Sequence, residues 1–196
     1  MARRILGIAG PPGAGKSTCA ARLVAESTVA AAYLPMDGFH LADTALGGLD
    51  LLDRKGAPET FDAWGYAALL RRVRTAHETV WAPGFERDLE QPLAGAIAIS
   101  AEVELVVTEG NYLLLDRPAW RAVRAELDEV WFLDVPDEVR RPRLLARHTA
   151  YGKTLAEAQA WVARVDDANA ALVAATRAAA DRVIEDRDTA ADCGGV

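Results

Sequence analysis

Residues 10–18 read Gly-Pro-Pro-Gly-Ala-Gly-Lys-Ser-Thr and fit the pattern G-x-x-x-x-G-K-[ST], with Gly10, Gly15, Lys16 and Ser17 at the defining positions. No other stretch restricts the fold so narrowly, because such a loop works only between a strand and a helix. The flanks agree. Ile5-Leu6-Gly7-Ile8-Ala9 is an apolar run of strand length, and Cys19–Ala25 reads as the start of a helix. Glycines let the backbone curl around a phosphate, and successive N–H groups then form an anion nest at the helix start. The segment Gly10, Pro11, Pro12, Gly13, Ala14, Gly15, Lys16, Ser17, Thr18 is therefore expected to bind a nucleoside triphosphate. Lys16 would reach the β/γ-phosphates, and the Ser17 hydroxyl would ligate Mg²⁺.

Beyond the loop, strand-like and helix-like stretches alternate. Strands are expected over 4–9, 31–35, 105–108, 129–134 and 182–185, with a weaker edge element at 96–100. Helices are expected over 15–26, 64–77, 118–127, 138–148 and 154–180, the last with room for a break. Thr154-Leu-Ala-Glu157 is a capping box at its start. Pro142 leaves open where the helix around 140 begins. Alternating β and α predicts an α/β fold with a parallel sheet, and ligands at the carboxyl ends of its strands. Residues 43–62 lack periodicity and read as a long loop, either functional or disordered.

With 196 residues, 51% hydrophobic and 26% charged, the chain suits one globular domain, expected over 1–186 with a tail at 187–196. No signal segment is read at Met1-Ala2-Arg3-Arg4, so the expected location is cytoplasmic. A net charge of −7 argues against a nucleic-acid partner, and no apolar run suits a membrane. Cys19 and Cys193 have no metal-like spacing and imply no disulfide framework.

Chemistry is sought after each strand. Asp37, in Met36-Asp37-Gly38-Phe39-His40, is placed either as a general base or as the cap of an ordinary turn. His40 either touches a substrate or packs at the loop edge. Glu109 ends an apolar run, Leu105-Val106-Val107-Thr108, as a Walker-B-like acid that can hold Mg²⁺. Asn111 and Tyr112 follow it and count with the substrate side. Arg140, Arg143 and Arg147 recur at spacings of one helical turn. They form either a solvated stripe or a lid over a transferring phosphoryl group. The Arg-rich lid would span about residues 137–153. The stretches Arg54–Asp62 and Trp81–Arg87 mix charge, aromatics, Gly and Pro, as a pocket or a surface connection does.

In order, GPPGAGKST, MDGFH, RKGAPETFD, PGFER and EGNYLLL, followed by a strand and an Arg-rich stretch, resemble the phosphoribulokinase/uridine kinase family. The likeness is nearest to its pantothenate-kinase-like members, often labelled sugar or fructose transport system kinases, and runs from about Arg4 to Glu185. It implies a P-loop kinase fold (nucleoside-kinase-like) with a central five-stranded parallel sheet flanked by helices. It also implies phosphate transfer from ATP, with Mg²⁺, to the hydroxyl of a sugar, pantothenate-like or nucleoside acceptor, and a homodimer. By resemblance the catalytic aspartate is Asp37, the metal-binding acid Glu109, and the lid arginines Arg140, Arg143 and Arg147. Arg140 is assigned to the nucleotide; Lys16, Arg143 and Arg147 to catalysis. Glu59 and Asp62 would touch the acceptor, together with Arg54, Arg87 and His40. Two departures stand out: Glu59 replaces a usual Asp, and Phe85-Glu86 replaces a Tyr-Asp pair.

Two other classes compete. A GTPase switch should carry an Asn/Thr-Lys-x-Asp motif, and neither Asn111 nor Asn169 is followed by lysine. A nucleoside monophosphate kinase would explain the arginines and leave Asp37 without a role, since a phosphate acceptor is already ionised.

Overall fold

The computed structural model describes residues 3–185; the expected tail at 187–196 and Cys193 lie outside the described residues. The elements run β1 (Arg4–Ala9), α1 (Lys16–Glu26), β2 (Ala31–Pro35), α2 (Asp43–Gly48), α3 (Ala63–Thr75), β3 (Val80–Glu86) and β4 (Gln91–Ile99). Then come β5 (Leu105–Glu109), α4 (Pro118–Arg124), β6 (Glu129–Asp134), α5 (Asp137–Ala150), α6 (Leu155–Trp161), α7 (Asp167–Ala174) and β7 (Arg182–Glu185).

Five strands form one sheet in the order β2-β5-β1-β6-β7. All its neighbours are parallel, with Arg4 opposite Leu105, Leu6 opposite Glu129, Ala31 opposite Leu105 and Trp131 opposite Arg182. Helices cover both faces, so the strands are apolar on both sides. Alternation sends Ile5, Val106, Val130 and Phe132 into one core with α3 and α4. Leu6, Ile8, Leu105, Val107, Trp131 and Leu133 go into a second core with Cys19, Ala20 and Leu23 of α1. Cys19 is buried there and is not a free thiol, against the expectation from spacing. At the far end of the sheet Arg3 is buried, its guanidinium donating to the carbonyls of Val103 (3.0 Å), Ser100 (2.9 Å) and Val73. Among the described residues no helix is long and apolar enough to cross a membrane.

Three local expectations change. The edge element at 96–100 is part of a longer strand, β4, paired antiparallel with β3. Pro83 and Gly84 disguise β3 in the sequence, and an irregularity between Ala82 and Gly84 absorbs them. Residues 43–62 hold α2 and short 3₁₀ turns at Leu52–Arg54 and Pro58–Thr60 rather than open loop. The long helix after Thr154 starts with the expected capping box and then contains a π-turn, Val162–Asp166, that joins α6 to α7. Helix α5 begins just after Pro136 and carries Pro142 inside it.

Candidate functional site

The loop after β1 turns on Gly13 (φ 81°) and Gly15 (φ 88°), left-handed positions that suit glycine. Gly13 is doubly constrained, since a Cβ there would sit 2.7 Å from the Arg140 carbonyl. Lys16 opens α1 with only 7% of its surface exposed. Its ammonium donates to the Pro11 carbonyl (3.0 Å) and to Asn111 Oδ1 (2.7 Å). Burial lowers its pKa to about 8, against the opposing pull of Glu109 and Asp37. Thr18 is exposed on the first turn of α1.

Glu109 ends β5, buried. Its Oε1 accepts from Tyr33 (2.8 Å) and from Ser17 Oγ (3.3 Å). Burial first, and then the charge of Asp37, raise its pKa. Close packing holds this strand end in place: a Cβ on Gly110 would meet Met36 Sδ at 2.4 Å. The hydroxyl and the carboxylate are hard oxygen donors. Among the described residues no cluster of three or more His, Cys, Asp or Glu could hold a metal by itself. The donor set therefore fits Mg²⁺ sharing its shell with phosphate oxygens and water.

Across the cavity, Asp37 lies in a 3₁₀ turn, Met36–Phe39, at the carboxyl end of β2. Arg87 donates to its Oδ2, and His40 Nε2 lies 3.9 Å from its Oδ1. Burial pushes the Asp37 carboxyl upward, but Arg87, then His40 and Arg147, outweigh it and hold the group below its ordinary value. The His40 ring sits 3.9 Å from that of Phe61 and 5.2 Å from that of Phe85, and its Nδ1 is buried without a partner. Burial lowers its pKa to about 4, so the ring is neutral near pH 7. Arg87 arrives here because the hairpin β3–β4 packs tightly on the Asp37-Gly38 turn: a Cβ on Gly38 would lie 2.3 Å from the Pro83 carbonyl.

Lys16, Ser17, Asp37, His40, Arg87, Glu109, Asn111 and Arg147 all line one cavity of about 350 Å³, with Pro12 and Gly13 at its rim. The arginine spacing, in contrast, does not produce one face. Arg147 reaches the cavity, and Arg143 hangs over the loop, its Nη1 3.5 Å from the Gly13 carbonyl. Arg140 is turned into the protein, 2% exposed, donating to Asp137 (2.6 Å) and Asp167 (2.7 Å). Asp167 belongs to α7, remote in sequence, and this acid is what the spacing could not reveal.

The expected acceptor residues also divide. Arg54 pairs with Glu59 outside the cavity, and Glu59 also lies 3.6 Å from Arg117. Asp62 caps α3, accepting from the Gly65 N–H at 2.8 Å. Tyr112 packs in the core beside Phe61 and Trp120, its hydroxyl donating to the Gly56 carbonyl. Lys55 and Gly56 line the cavity in their place. Sequence reasoning also missed Tyr33, and His148, Asp166 and Asn169. His148 pairs with Asp166 at 2.8 Å, and Asn169 donates to the Gly56 carbonyl at 3.2 Å. Only the outward alternation of β2 could have singled out Tyr33; the others depend on how α5 and α7 meet.

The family model described as "Phosphoribulokinase / Uridine kinase family" matches residues 5–191. The chain is 35% identical over 188 residues to the uncharacterised protein YggC of Escherichia coli (strain K12), covering 93% of this chain and 78% of that protein. It is 32% identical over 168 residues to "Putative uridine kinase C227.14" of Schizosaccharomyces pombe, covering 81% of this chain and 72% of that one. Among solved structures, the "putative fructose transport system kinase" from Silicibacter sp. TM1040 superposes with a TM-score of 0.86 at 38% identity, covering 93% of this chain and 90% of the other.

Proposed function

The chain belongs to the phosphoribulokinase/uridine kinase family and is a P-loop phosphotransferase, and from that premise we propose that it moves the γ-phosphate of ATP to a hydroxyl of a small-molecule acceptor, with Asp37 as general base. One observation carries this reading: an ionised, half-buried carboxylate, Asp37, faces the same cavity as the phosphate-loop lysine, Lys16. A hydroxyl is a weak nucleophile until its proton can leave, and a carboxylate beside it takes that proton. The acceptor O–H gives its proton to Asp37 Oδ1 as its oxygen bonds to the γ-phosphorus. The bond from that phosphorus to the bridging oxygen breaks, and ADP leaves.

Lys16 and the backbone N–H groups of residues 13–16 bind and orient the phosphates. Arg143 and Arg147, on the lid helix, offset charge on the transferring group. Ser17 and Glu109 would hold Mg²⁺, whose charge neutralises phosphate oxygens. Its arrival would also relieve the raised pKa of Glu109, which stems from burial and the nearby Asp37 charge. Neutral His40 packs between the Phe61 and Phe85 rings beside Asp37. The relatives' names span a uridine kinase and a fructose transport system kinase. The acceptor class therefore has to be found by assay.

The test is Asp37→Asn. Turnover on an acceptor drawn from sugars, pantothenate, nucleosides and vitamin ribosides should fall by about 10²-fold or more. ATP affinity by calorimetry should stay near that of the unsubstituted protein. Turnover close to the unsubstituted value would remove Asp37 as base, and retained activity confined to nucleoside monophosphates would favour a phosphate acceptor.

A further inference from the structure

A general base must want a proton, yet the Asp37 carboxylate is held at Oδ2 by a cation that weakens its basicity. Arg87 sits just beyond β3, lines the cavity and donates to Oδ2 of the base. Its guanidinium lies 4.8 Å from the centre of the Phe85 ring, and the Lys55 ammonium is 5.9 Å from the same ring. Lys55 also pairs with Asp43 at 2.6 Å. Two cations thus converge beside one aromatic ring at the edge of the base. The Arg87 side chain is 36% exposed, so its head can be reached from the cavity. A planar guanidinium has five N–H donors in a fork that matches carboxylate and phosphate oxygens, more than its bond to Asp37 consumes.

We propose that Arg87 sets acceptor specificity: it masks Asp37 in the free enzyme and leaves it for an anionic group, a carboxylate or a phosphate ester, carried by the acceptor. The base then reaches its full strength only when an acceptor is in place. Such coupling has a chemical purpose. Without an acceptor, water can enter the cavity. It would give a proton to Asp37 as its oxygen bonds to the γ-phosphorus and ADP leaves, consuming ATP for nothing. A charge-assisted hydrogen bond to Asp37 lowers its appetite for that proton. An acceptor anion offers Arg87 a competing partner, with Lys55 as a second positive charge nearby. The Phe85 ring lets the guanidinium slide across its face rather than move into water.

This inference rests on Asp37 being the base, and the experiment keeps the two separable. ATP consumption is measured for the unsubstituted protein and for Arg87→Gln, Arg87→Lys, Asp37→Asn and the Arg87→Gln/Asp37→Asn pair. Each is assayed alone and with glycerate or pantothenate (carboxylates), glycerol 3-phosphate (a phosphate ester), and fructose or uridine (neutral). Arg87→Gln should raise acceptor-free hydrolysis about 5-fold or more, and the added Asp37→Asn should abolish the rise. KM for the anionic acceptor should rise about tenfold or more, with much less change for neutral ones. Whether the carboxylates or the phosphate ester are used identifies the source of the charge. Arg87→Lys, which keeps the charge and loses the fork, should lie between, and it serves if the glutamine variant folds poorly. Unchanged or slower acceptor-free hydrolysis in folded Arg87→Gln overturns the masking. Use of neutral acceptors alone, or equal KM changes for both kinds, overturns the anionic assignment. If Asp37→Asn alone keeps full acceptor phosphorylation, the base reading fails instead.

Discussion

Pro12, Gly13, Lys16 and Ser17 reach the cavity from one short stretch between β1 and the first turn of α1, whereas the opposite wall is gathered from Asp37, Lys55, Phe85 and Arg87 on separate stretches of chain. The first wall works mainly through N–H groups and one lysine. The second works through side-chain charges that have to be carried into register by packing. Gly13 serves the first by adopting a left-handed conformation. Gly38 serves the second without any unusual φ, simply by letting the Pro83 carbonyl come close. A contiguous wall depends on local conformation, and an assembled wall depends on distant contacts. Damage to the first should therefore appear in nucleotide binding, and damage to the second in turnover.

The largest expected effect is on the contiguous wall. Lys16→Ala should lower kcat/KM by about 10³-fold, because a buried cation aimed at developing phosphate charge is lost. Calorimetry should show weaker ATP binding as well; unchanged affinity would contradict the loop's assignment and erase the contrast. Next comes the assembled wall. In Gly38→Ala the new methyl group collides with the Pro83 carbonyl, so the hairpin must shift and take Arg87 with it. A displacement on the ångström scale should lower kcat by about 10–10²-fold with ATP affinity retained. Equal losses in both would mean that the two walls are not independent.

A pH series probes the contiguous wall more gently. Lys16 carries its proton below about 8 and sheds it as pH rises through that value, because burial disfavours the charged form. ATP affinity should consequently fall about tenfold from pH 7 to pH 9, the amount expected when binding requires the protonated lysine. A flat profile would mean that the bound phosphates hold the proton on. The smallest effect on chemistry is expected at Arg140. Its ion pair to Asp167 ties α5 to α7, and that to Asp137 lies within α5, so Arg140→Ala should cost about 2 kcal/mol of stability. Turnover per folded molecule should change little. A large fall in kcat with unchanged Tm would instead return Arg140 to the nucleotide.

The same contrast explains what the sequence could reveal. The boundaries of β1, β2, β6 and β7 and the capping box at Thr154 were legible because local patterning decides them. The hairpin was not, since Pro83 and Gly84 resemble loop residues until an irregular pairing accommodates them. The arginine spacing was read correctly as helical. It could not say that Asp137 and Asp167 would claim Arg140 while Arg147 kept the cavity. Glu59 and Asp62 carry charges that suit a binding site, yet an ion pair with Arg54 and a helix cap occupy them. Lys55, one residue along from Arg54, gives no local sign that it faces inward. Its direction follows from Asp43 and the Glu90 carbonyl across the cavity wall.

The central place of β1 has a consequence for the order in which the chain can fold. The strand is made first, yet Arg4 waits for Leu105 and Leu6 waits for Glu129 before either edge is paired. Among the described residues, β3 with β4 is the one strand pairing that joins segments close in sequence, so it can form early and by itself. The parallel sheet must assemble in one late step, after residues 105–134 have emerged, because non-local pairings are slow to find. Until then the apolar segment 5–9 has no strand beside it. Substitutions that weaken β5, such as Val107→Ala, should therefore reduce the yield of native protein through aggregation more than they lower the stability of molecules that have already folded.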